Sequence, residues 1–172
     1  MNNLFFIIIL LLELTMNDII TYTDLKVCDF MKSVAVIGSF RKGNHYLKIV
    51  ELIKFLKKNN ILVTSPVGSS VVREEDGFVF FETDDCSLSR EKIEELTLEN
   101  IFKADIVFNC NIDGYIGCTT AYEIGRCQSV GKEIIFLEKP SNIVFADLDI
   151  ITMSFDELLS YARNDRKKRV LR

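Results

Sequence analysis

The sequence is poor in the residues that build the commonest metal and nucleophile sites. It contains one histidine, His45, among 172 residues. With no second histidine and no Cys-x-x-Cys pair, neither a zinc site nor a Ser-His or Cys-His dyad away from His45 is expected. The five cysteines are odd in number and lack paired spacing. This usage favours reduced thiols in a cytoplasmic protein over a disulfide framework.

Positive charge is also in short supply. The chain has 21 Lys and Arg against 25 Asp and Glu, for a formal net charge of -4. A nucleic-acid binder needs a basic face to neutralise phosphates, so this class of partner is not expected. Nearly half of the residues are apolar, as in ordinary globular proteins, and the length is sufficient for a single core.

The N-terminal apolar run is too short to cross a bilayer. Residues 4–12 read LFFIIILLL and are followed by Glu13; as a helix they would span only ~14 Å. No Lys or Arg precedes the run and no small-x-small cleavage site follows it. We therefore expect residues 1–30 to be an appendage without a stable membrane span, with a weak anchor or signal as the alternative. The domain is expected over residues 31–163, and residues 164–172 form a basic tail.

After Met31, short apolar runs alternate with amphipathic segments. The pattern predicts strands over 33–38, 61–66, 104–112, 133–138 and 149–154, and helices over 46–60, 89–103, 118–131 and 155–163. In the first helix, Leu47, Val50, Ile53 and Phe55 or Leu56 are spaced for one face. Residues 67–88 resist assignment: FVFFETDD is compatible with a strand or with a lid segment.

Several side chains mark the ends of these helices. Ser89 is a plausible N-cap, Ser154 and Glu157 form a capping box, and Gly131 is a candidate C′ residue. With these boundaries, strands alternate with helices throughout. The alternation predicts an α/β fold, a flavodoxin-like doubly wound parallel sheet of five strands in the order 2-1-3-4-5 with helices on both faces. Ligands of such sheets bind beyond the carboxyl ends of strands 1 and 3.

The loop after the first strand reads GSFRKG. It offers Gly38 and Gly43 for close backbone approach, the Ser39 hydroxyl and the Arg41 guanidinium, all just before a helix. Helix-terminal N–H groups and Arg donate hydrogen bonds, so the loop favours an anionic or polyhydroxyl ligand. It matches neither GxGxxG nor a Walker loop. The alternative is a Gly-Ser turn with a solvated Arg.

The loop after the third strand leads into GYIGCTTAYEIG. Thr119 and Thr120 are placed to cap the following helix, and Glu123 falls near its first turn. Glu123 could simply stabilise the helix dipole. However, its neighbours are small or apolar, and a carboxylate on such a face is costly unless a ligand satisfies it. Asp113 and Tyr115 precede this helix and are either ligand contacts or a turn Asp and a packing Tyr.

Taken in order, GSFR, the AD pair that opens the third strand, and TAYEIG followed by GK resemble the nucleoside 2-deoxyribosyltransferase family over roughly residues 33 to 140. The GSFRKG loop looks most like that of the deoxynucleoside 5′-monophosphate N-glycosidases. The resemblance implies cleavage of an N-glycosidic bond in a nucleoside or nucleotide, a homodimer, and no metal or other cofactor. The nucleophilic Glu of the family falls on Glu123.

The resemblance also assigns the first loop, with Gly38, Ser39, Phe40 and Arg41, to substrate binding. Three positions depart from the family pattern. Thr97 stands where relatives carry an acid, and Glu94, one turn earlier, is our candidate replacement. Gly117 stands where the glycosidases use a serine for phosphate, so Thr119 or Thr120 is expected to supply that hydroxyl.

Ala35 stands where the glycosidases place a tyrosine. These departures leave an alternative to catalysis, a catalytically reduced module that binds or senses a nucleotide. A third, unrelated possibility is a flavodoxin-like domain with another cofactor. The absence of a Ser- and Thr-rich phosphate loop after the first strand counts against flavin.

Overall fold

The computed structural model describes residues 31–40, 45–75, 78–141 and 149–163. The strands are β1 (Val34–Ile37), β2 (Val63–Ser65), β3 (Val71–Glu75), β4 (Phe78–Phe81), β5 (Ile106–Asn109), β6 (Glu133–Phe136) and β7 (Ile151–Thr152). The helices are α1 (His45–Lys58), α2 (Arg90–Lys103), α3 (Cys118–Ser129) and α4 (Phe155–Arg163), with a 3₁₀ turn at Ile112–Gly114. The predicted appendage over residues 1–30 and the basic tail lie outside the described residues.

Five strands form one all-parallel sheet in the order β2-β1-β5-β6-β7. Numbered among themselves along the chain, these strands follow the predicted order 2-1-3-4-5. In the centre of the sheet, Ile37 of β1 pairs with Asn109 of β5, which in turn pairs with Phe136 of β6. The three strands therefore end at one level, and their loops leave the same edge of the sheet.

Helices cover both faces of this sheet. Val34 and Val36 pack in one cluster with α1 and with Leu158 of α4. Ala35 and Ile37, which alternate with them, pack in a second cluster with buried residues of α2 and α3. Burial on both faces explains why β1 reads as a continuous apolar run rather than an alternating one.

The buried face of α1 differs from the predicted one. Its buried aliphatic residues include Ile49, Leu52, Ile53 and Leu56, whereas Leu47 is 61% exposed. The spacing i, i+3, i+4, i+7 from Ile49 defines the stripe that meets the sheet. Leu47 lies two residues before the stripe, about 200° away around the helix axis, so its assignment to the core face was wrong.

The structure confirms the predicted caps of α2 and α4 and the C′ glycine of α3, but not the predicted N-cap of α3. The Ser89 hydroxyl accepts a hydrogen bond from the Lys92 N–H at 3.3 Å, and Ser154 and Glu157 form the expected capping box. Gly131 follows α3 with a φ of 69°, as expected for a C′ glycine. The capping role predicted for Thr119 and Thr120 was wrong. The N-cap of α3 is Gly117, which has no side chain to cap with, and both threonines lie inside the helix.

The unassigned stretch between the second strand and α2 folds into an antiparallel hairpin, β3 paired with β4. Its base is held by Glu82, whose carboxylate accepts hydrogen bonds from the backbone N–H groups of Ser69 and Ser70 at 2.9 and 2.7 Å. Arg73 lies over the Phe80 ring, 3.9 Å from its centroid, and Phe80 is buried. FVFF is therefore a strand that contributes one ring to the interior.

Among the helices that the structure describes, none combines the length and the apolar character that a membrane crossing demands.

Candidate functional site

A cleft of about 400 Å³ opens at the carboxyl ends of the central strands. Its base is formed by the end of β1 and by the facing sides of α2 and α3, and the β3–β4 hairpin forms its roof. This is the edge at which parallel α/β sheets bind ligands, and the volume lies within the usual range of small-molecule sites.

The fold brings ten of the thirteen predicted site residues to this cleft: Gly38, Ser39, Phe40, Glu94, Thr97, Tyr115, Gly117, Thr119, Thr120 and Glu123. Asp113 is not among the residues that line it. Its side chain is 86% exposed, with a carboxylate oxygen 3.7 Å from Nε2 of His45. Arg41 and Gly43 lie outside the described residues.

Glu123 belongs to the second turn of α3, because the helix already begins at Cys118. A dipole effect confined to the first turn therefore does not explain an acid at this position. Only 8% of the residue is exposed, and no hydrogen bond or salt bridge found among the described residues involves its carboxylate. Burial, and secondly the charge of Glu94, raise the pKa of Glu123 to about 8. Such a group holds its proton through the neutral range in the empty cleft.

Glu94 borders the same cleft from α2. Ile93, Leu98 and Ile101 fix this helix on the sheet, and Glu94 and Thr97, three residues apart, lie on the neighbouring stripe that borders the cleft. Burial raises the pKa of Glu94, and its Oε1 atom is buried without a hydrogen-bond partner in the described part of the chain.

The backbone after β1 approaches β5 closely at Gly38. A Cβ at this position would lie 3.0 Å from the carbonyl oxygen of Cys110 and 3.0 Å from Cδ1 of Ile49. Glycine is therefore required for the chain to pass between β5 and α1 into the cleft. Ser39 follows directly, and its hydroxyl oxygen would lie 4.0 Å from a Cβ placed on Gly117. The loops after β1 and β5 thus meet at one end of the cleft.

The loop after β5 is fixed to the end of β6. The Asn111 side chain donates to the carbonyl oxygen of Glu138 at 2.7 Å and accepts from the backbone N–H groups of Leu137 and Glu138. Gly114 accepts hydrogen bonds from both the N–H and the hydroxyl of Ser141. This anchoring presents Tyr115 and the start of α3 to the cleft on a rigid support.

Sequence reasoning missed the residues of the roof. Phe78, Val79 and Phe81 of β4 line the cleft, and so does Asp84 in the following turn. The Asp84 carboxylate accepts a hydrogen bond from the Phe81 N–H at 2.7 Å, and the Phe81 ring meets that of Phe40 edge-to-face at 5.0 Å. The signal in the sequence was the aromatic run FVFF, which has no place in the predicted parallel sheet. Such a run indicates a segment that covers another part of the domain, but it does not indicate which part.

The cleft also receives residues from β2 and the two flanking helices that were not predicted: Ser65, Pro66, Ile93 and Cys118. Ser65, Pro66 and Ile93 also line an adjoining cavity of about 280 Å³, which extends under Phe81 and Asp84 towards Leu96 and Asn100. Phe81, Asp84 and Thr97 border both cavities. The ligand space is therefore elongated along α2.

Comparison with protein-family models and with curated proteins gives no match to this chain. In the part of the chain that the structure describes, no group of three or more His, Cys, Asp or Glu side chains is arranged to hold a metal ion.

Proposed function

We propose that the protein cleaves or transfers the N-glycosidic bond of a nucleoside or nucleoside 5′-monophosphate, on a flavodoxin-like fold, as its resemblance to the nucleoside 2-deoxyribosyltransferase family implies. One observation carries the proposal: Glu123 and Glu94 line a single cleft at the carboxyl ends of β1 and β5, on two different helices. Paired carboxylates are the machinery that glycoside cleavage generally uses.

Glu123 is the nucleophile of the proposed reaction. When the bond between C1′ and the base nitrogen breaks, positive charge develops on the sugar. The ionised Glu123 carboxylate stabilises this charge and bonds to C1′. Its position in a buried turn of α3, within an apolar environment, strengthens the interaction with the developing cation, because the local dielectric constant is low.

Glu94 protonates the leaving base and then activates the acceptor. The two acids repel each other's charge, so the pair carries one proton over a range of pH. In the empty cleft the higher pKa belongs to Glu123. As positive charge develops at C1′, ionised Glu123 is stabilised and the proton belongs on Glu94, which delivers it to the base. With water as acceptor the outcome is hydrolysis, and with a second base it is transfer.

The proposal includes the cytoplasmic homodimer that the resemblance implies. Sedimentation of the purified protein gives the oligomeric state, and a monomer would remove this part of the proposal without affecting the chemistry.

The test is incubation with a panel of nucleosides and nucleoside 5′-monophosphates, followed by chromatography for free base. Glu123→Ala is expected to release no base and to keep the circular-dichroism spectrum of the wild type. A matched control is Glu99→Ala, because Glu99 is an exposed acid of α2 that does not line the cleft. Base release by Glu123→Ala at the wild-type rate would refute the nucleophile assignment.

A second candidate function is a module that binds or senses a nucleotide without turning it over. The raised pKa of Glu123 favours this alternative, because a protonated acid binds ligands but does not attack C1′. The presence of Thr97 in place of the acid of relatives points the same way. Tight nucleotide binding by calorimetry, with no base released over hours, would select this function over catalysis.

A further inference from the structure

The charged side chains among the described residues that line the cleft are all acidic. Three acids line it, namely Glu94 of α2, Glu123 of α3 and Asp84 of the roof. Among the described residues that line the cleft, none is Lys, Arg or His. Acidic side chains beside the base of a ligand favour a base that carries a positive charge.

Two of these acids are ready to accept a ligand. Glu123 is more than nine-tenths buried, borders the cavity, and takes part in no hydrogen bond or salt bridge found among the described residues. The Oε1 atom of Glu94 is likewise buried without a partner there. Buried polar groups without partners are costly, so a positively charged ligand between them would relieve an existing penalty.

The third acid lies beside aromatic rings. Asp84 is held against β4 by the Phe81 N–H, and Phe81, Phe78 and Phe40 line the same cleft. The faces of aromatic rings attract cations, and flat rings also stack on them. A planar, positively charged heteroaromatic ring satisfies both the carboxylate and the phenylalanines.

We infer that the substrate is an N-glycoside whose base carries a positive charge, such as an N-alkylpyridinium or N7-alkylpurinium nucleoside. The base lies between the aromatic roof and Asp84, and C1′ faces Glu123. This inference rests on the proposed function, since it names the substrate class of the same site.

The departure of a cationic base needs no proton donor. The C1′–N bond breaks with its electron pair going to the ring nitrogen, which neutralises the base, while a Glu123 oxygen forms a bond to C1′. Water then attacks C1′, its proton passes to the Glu94 carboxylate, and Glu123 leaves as a carboxylate. A cationic base is therefore a good leaving group unaided, and the acid that relatives carry at the position of Thr97 is not needed for its departure.

The experiment compares nicotinamide riboside, whose pyridinium ring is cationic at every pH, with guanosine at pH 8, where a substantial share of Glu123 is ionised. Each kcat/KM for base release is divided by the uncatalysed rate in the same buffer. The expected result is a preference for the cationic nucleoside on the order of tenfold or more. Equal corrected values, or a preference for guanosine, would overturn the inference and leave the proposed function standing.

If neither nucleoside releases base, the panel of nucleosides and nucleoside 5′-monophosphates decides the proposed function, and binding decides the inference. Calorimetry then shows either tighter binding of nicotinamide riboside than of guanosine, by about tenfold, which supports the charge selection, or equal affinities, which overturn it.

Two matched variants locate the selection at the roof. Asp84→Asn removes the charge and keeps an oxygen for the Phe81 N–H, so the preference is expected to shrink by about threefold to tenfold. Glu99→Gln removes the same charge on the exposed side of α2, where the side chain lines neither cavity. It is expected to keep the wild-type preference. An unchanged preference in Asp84→Asn would overturn the placement of the base beside Asp84.

Discussion

Glu94 and Glu123, on two different helices, border the same cleft, and the charge of Glu94 contributes to the raised pKa of Glu123. Each acid is held in place by the packing of its own helix on the sheet rather than by a salt bridge to the other protein groups described. The two acids therefore interact unfavourably in the free protein. A suitable ligand or transition state can relieve this interaction.

Glu123→Gln is expected to abolish base release and to increase stability at neutral pH. Between pH 4.5 and about 8 the folded protein keeps a proton on Glu123 that the unfolded chain has released, so the stability of the wild type falls as pH rises through this window. Glutamine carries no such cost. Urea unfolding at pH 7 should show a gain of about 1–2 kcal/mol, and the gain should vanish near the lower end of the window.

Glu99→Gln is the control for this measurement. Its side chain is exposed on α2, so the free energy of unfolding should stay within about 0.5 kcal/mol of the wild type. A Glu123→Gln protein that is less stable than the wild type at pH 7 would contradict the description of Glu123 as a buried acid under strain.

The pH dependence of kcat/KM is expected to differ between two kinds of substrate. A neutral nucleoside needs one proton on the acid pair, so kcat/KM should fall as pH rises above about 8, where Glu123 ionises in the free protein. A pyridinium nucleoside such as nicotinamide riboside needs only ionised Glu123. Its kcat/KM, corrected for the uncatalysed reaction, should rise with pH and level off above about 8.

The other titratable groups near Glu123 do not obscure this profile. The charge of Glu94 raises the pKa of Glu123, so the profile reports the titration of the pair. Cys127, on the same helix, has its pKa raised to about 11 by burial and stays neutral. Asp84 faces the cleft from the roof, and the profile of the Asp84→Asn variant measures how much Asp84 contributes to the pH dependence. Identical profiles for the two substrates would exclude a proton donated by the pair to the neutral base.

Glu94→Gln is expected to slow base release from neutral nucleosides by about 10² to 10⁴, because a general acid is lost. The companion test is the double variant Glu94→Gln with Thr97→Asp. Thr97 borders the same cleft one turn further along α2, so an acid there should restore part of the lost rate. Glu95→Gln, which breaks only the exposed ion pair with Lys92, should keep the wild-type rate. Full activity of Glu94→Gln would remove Glu94 from the mechanism.

Gly114→Ala is expected to destabilise the protein by about 2–4 kcal/mol, measured by urea unfolding. The backbone at Gly114 has a φ of 67°, and an added Cβ would lie 2.7 Å from the carbonyl oxygen of Lys139 and 2.9 Å from the Ser141 nitrogen. Gly131 has nearly the same φ, 69°, but open space around it. Gly131→Ala should therefore cost only about 1 kcal/mol, and equal losses in both variants would show that the contact with residues 139–141 is unimportant.

The strands of the sheet and most helix ends could be predicted from the sequence because their signals are local. A run such as VAVI, buried on both faces, leaves little alternative, and the Ser89 cap depends on residues three positions apart. The threonines before Glu123 were misread because α3 starts two residues earlier than a cap at Thr119 requires, and three earlier than a cap at Thr120. That difference moves Glu123 from the first turn into the second.

The roof could not be predicted because its signals are not local. VVREE carries three charged residues and FVFF carries none, so neither shows the alternation of a half-buried strand. What makes them strands is their pairing with each other and the covering of Phe80 by Arg73. Such contacts depend on where the hairpin lies over the sheet, which periodicity does not report.

The hairpin is an insertion between β2 and α2 with its own hydrogen bonds, and it contributes no strand to the parallel sheet. Under the proposed function, mutation in the hairpin changes the aromatic roof, and with it the base that is accepted, while α2 and α3 keep Glu94 and Glu123. The proposed reaction is then divided between two parts of the chain, with the roof selecting the leaving group and the two helices breaking the bond. Alteration of this one short segment is accordingly expected to change the substrate and to leave the parallel sheet intact.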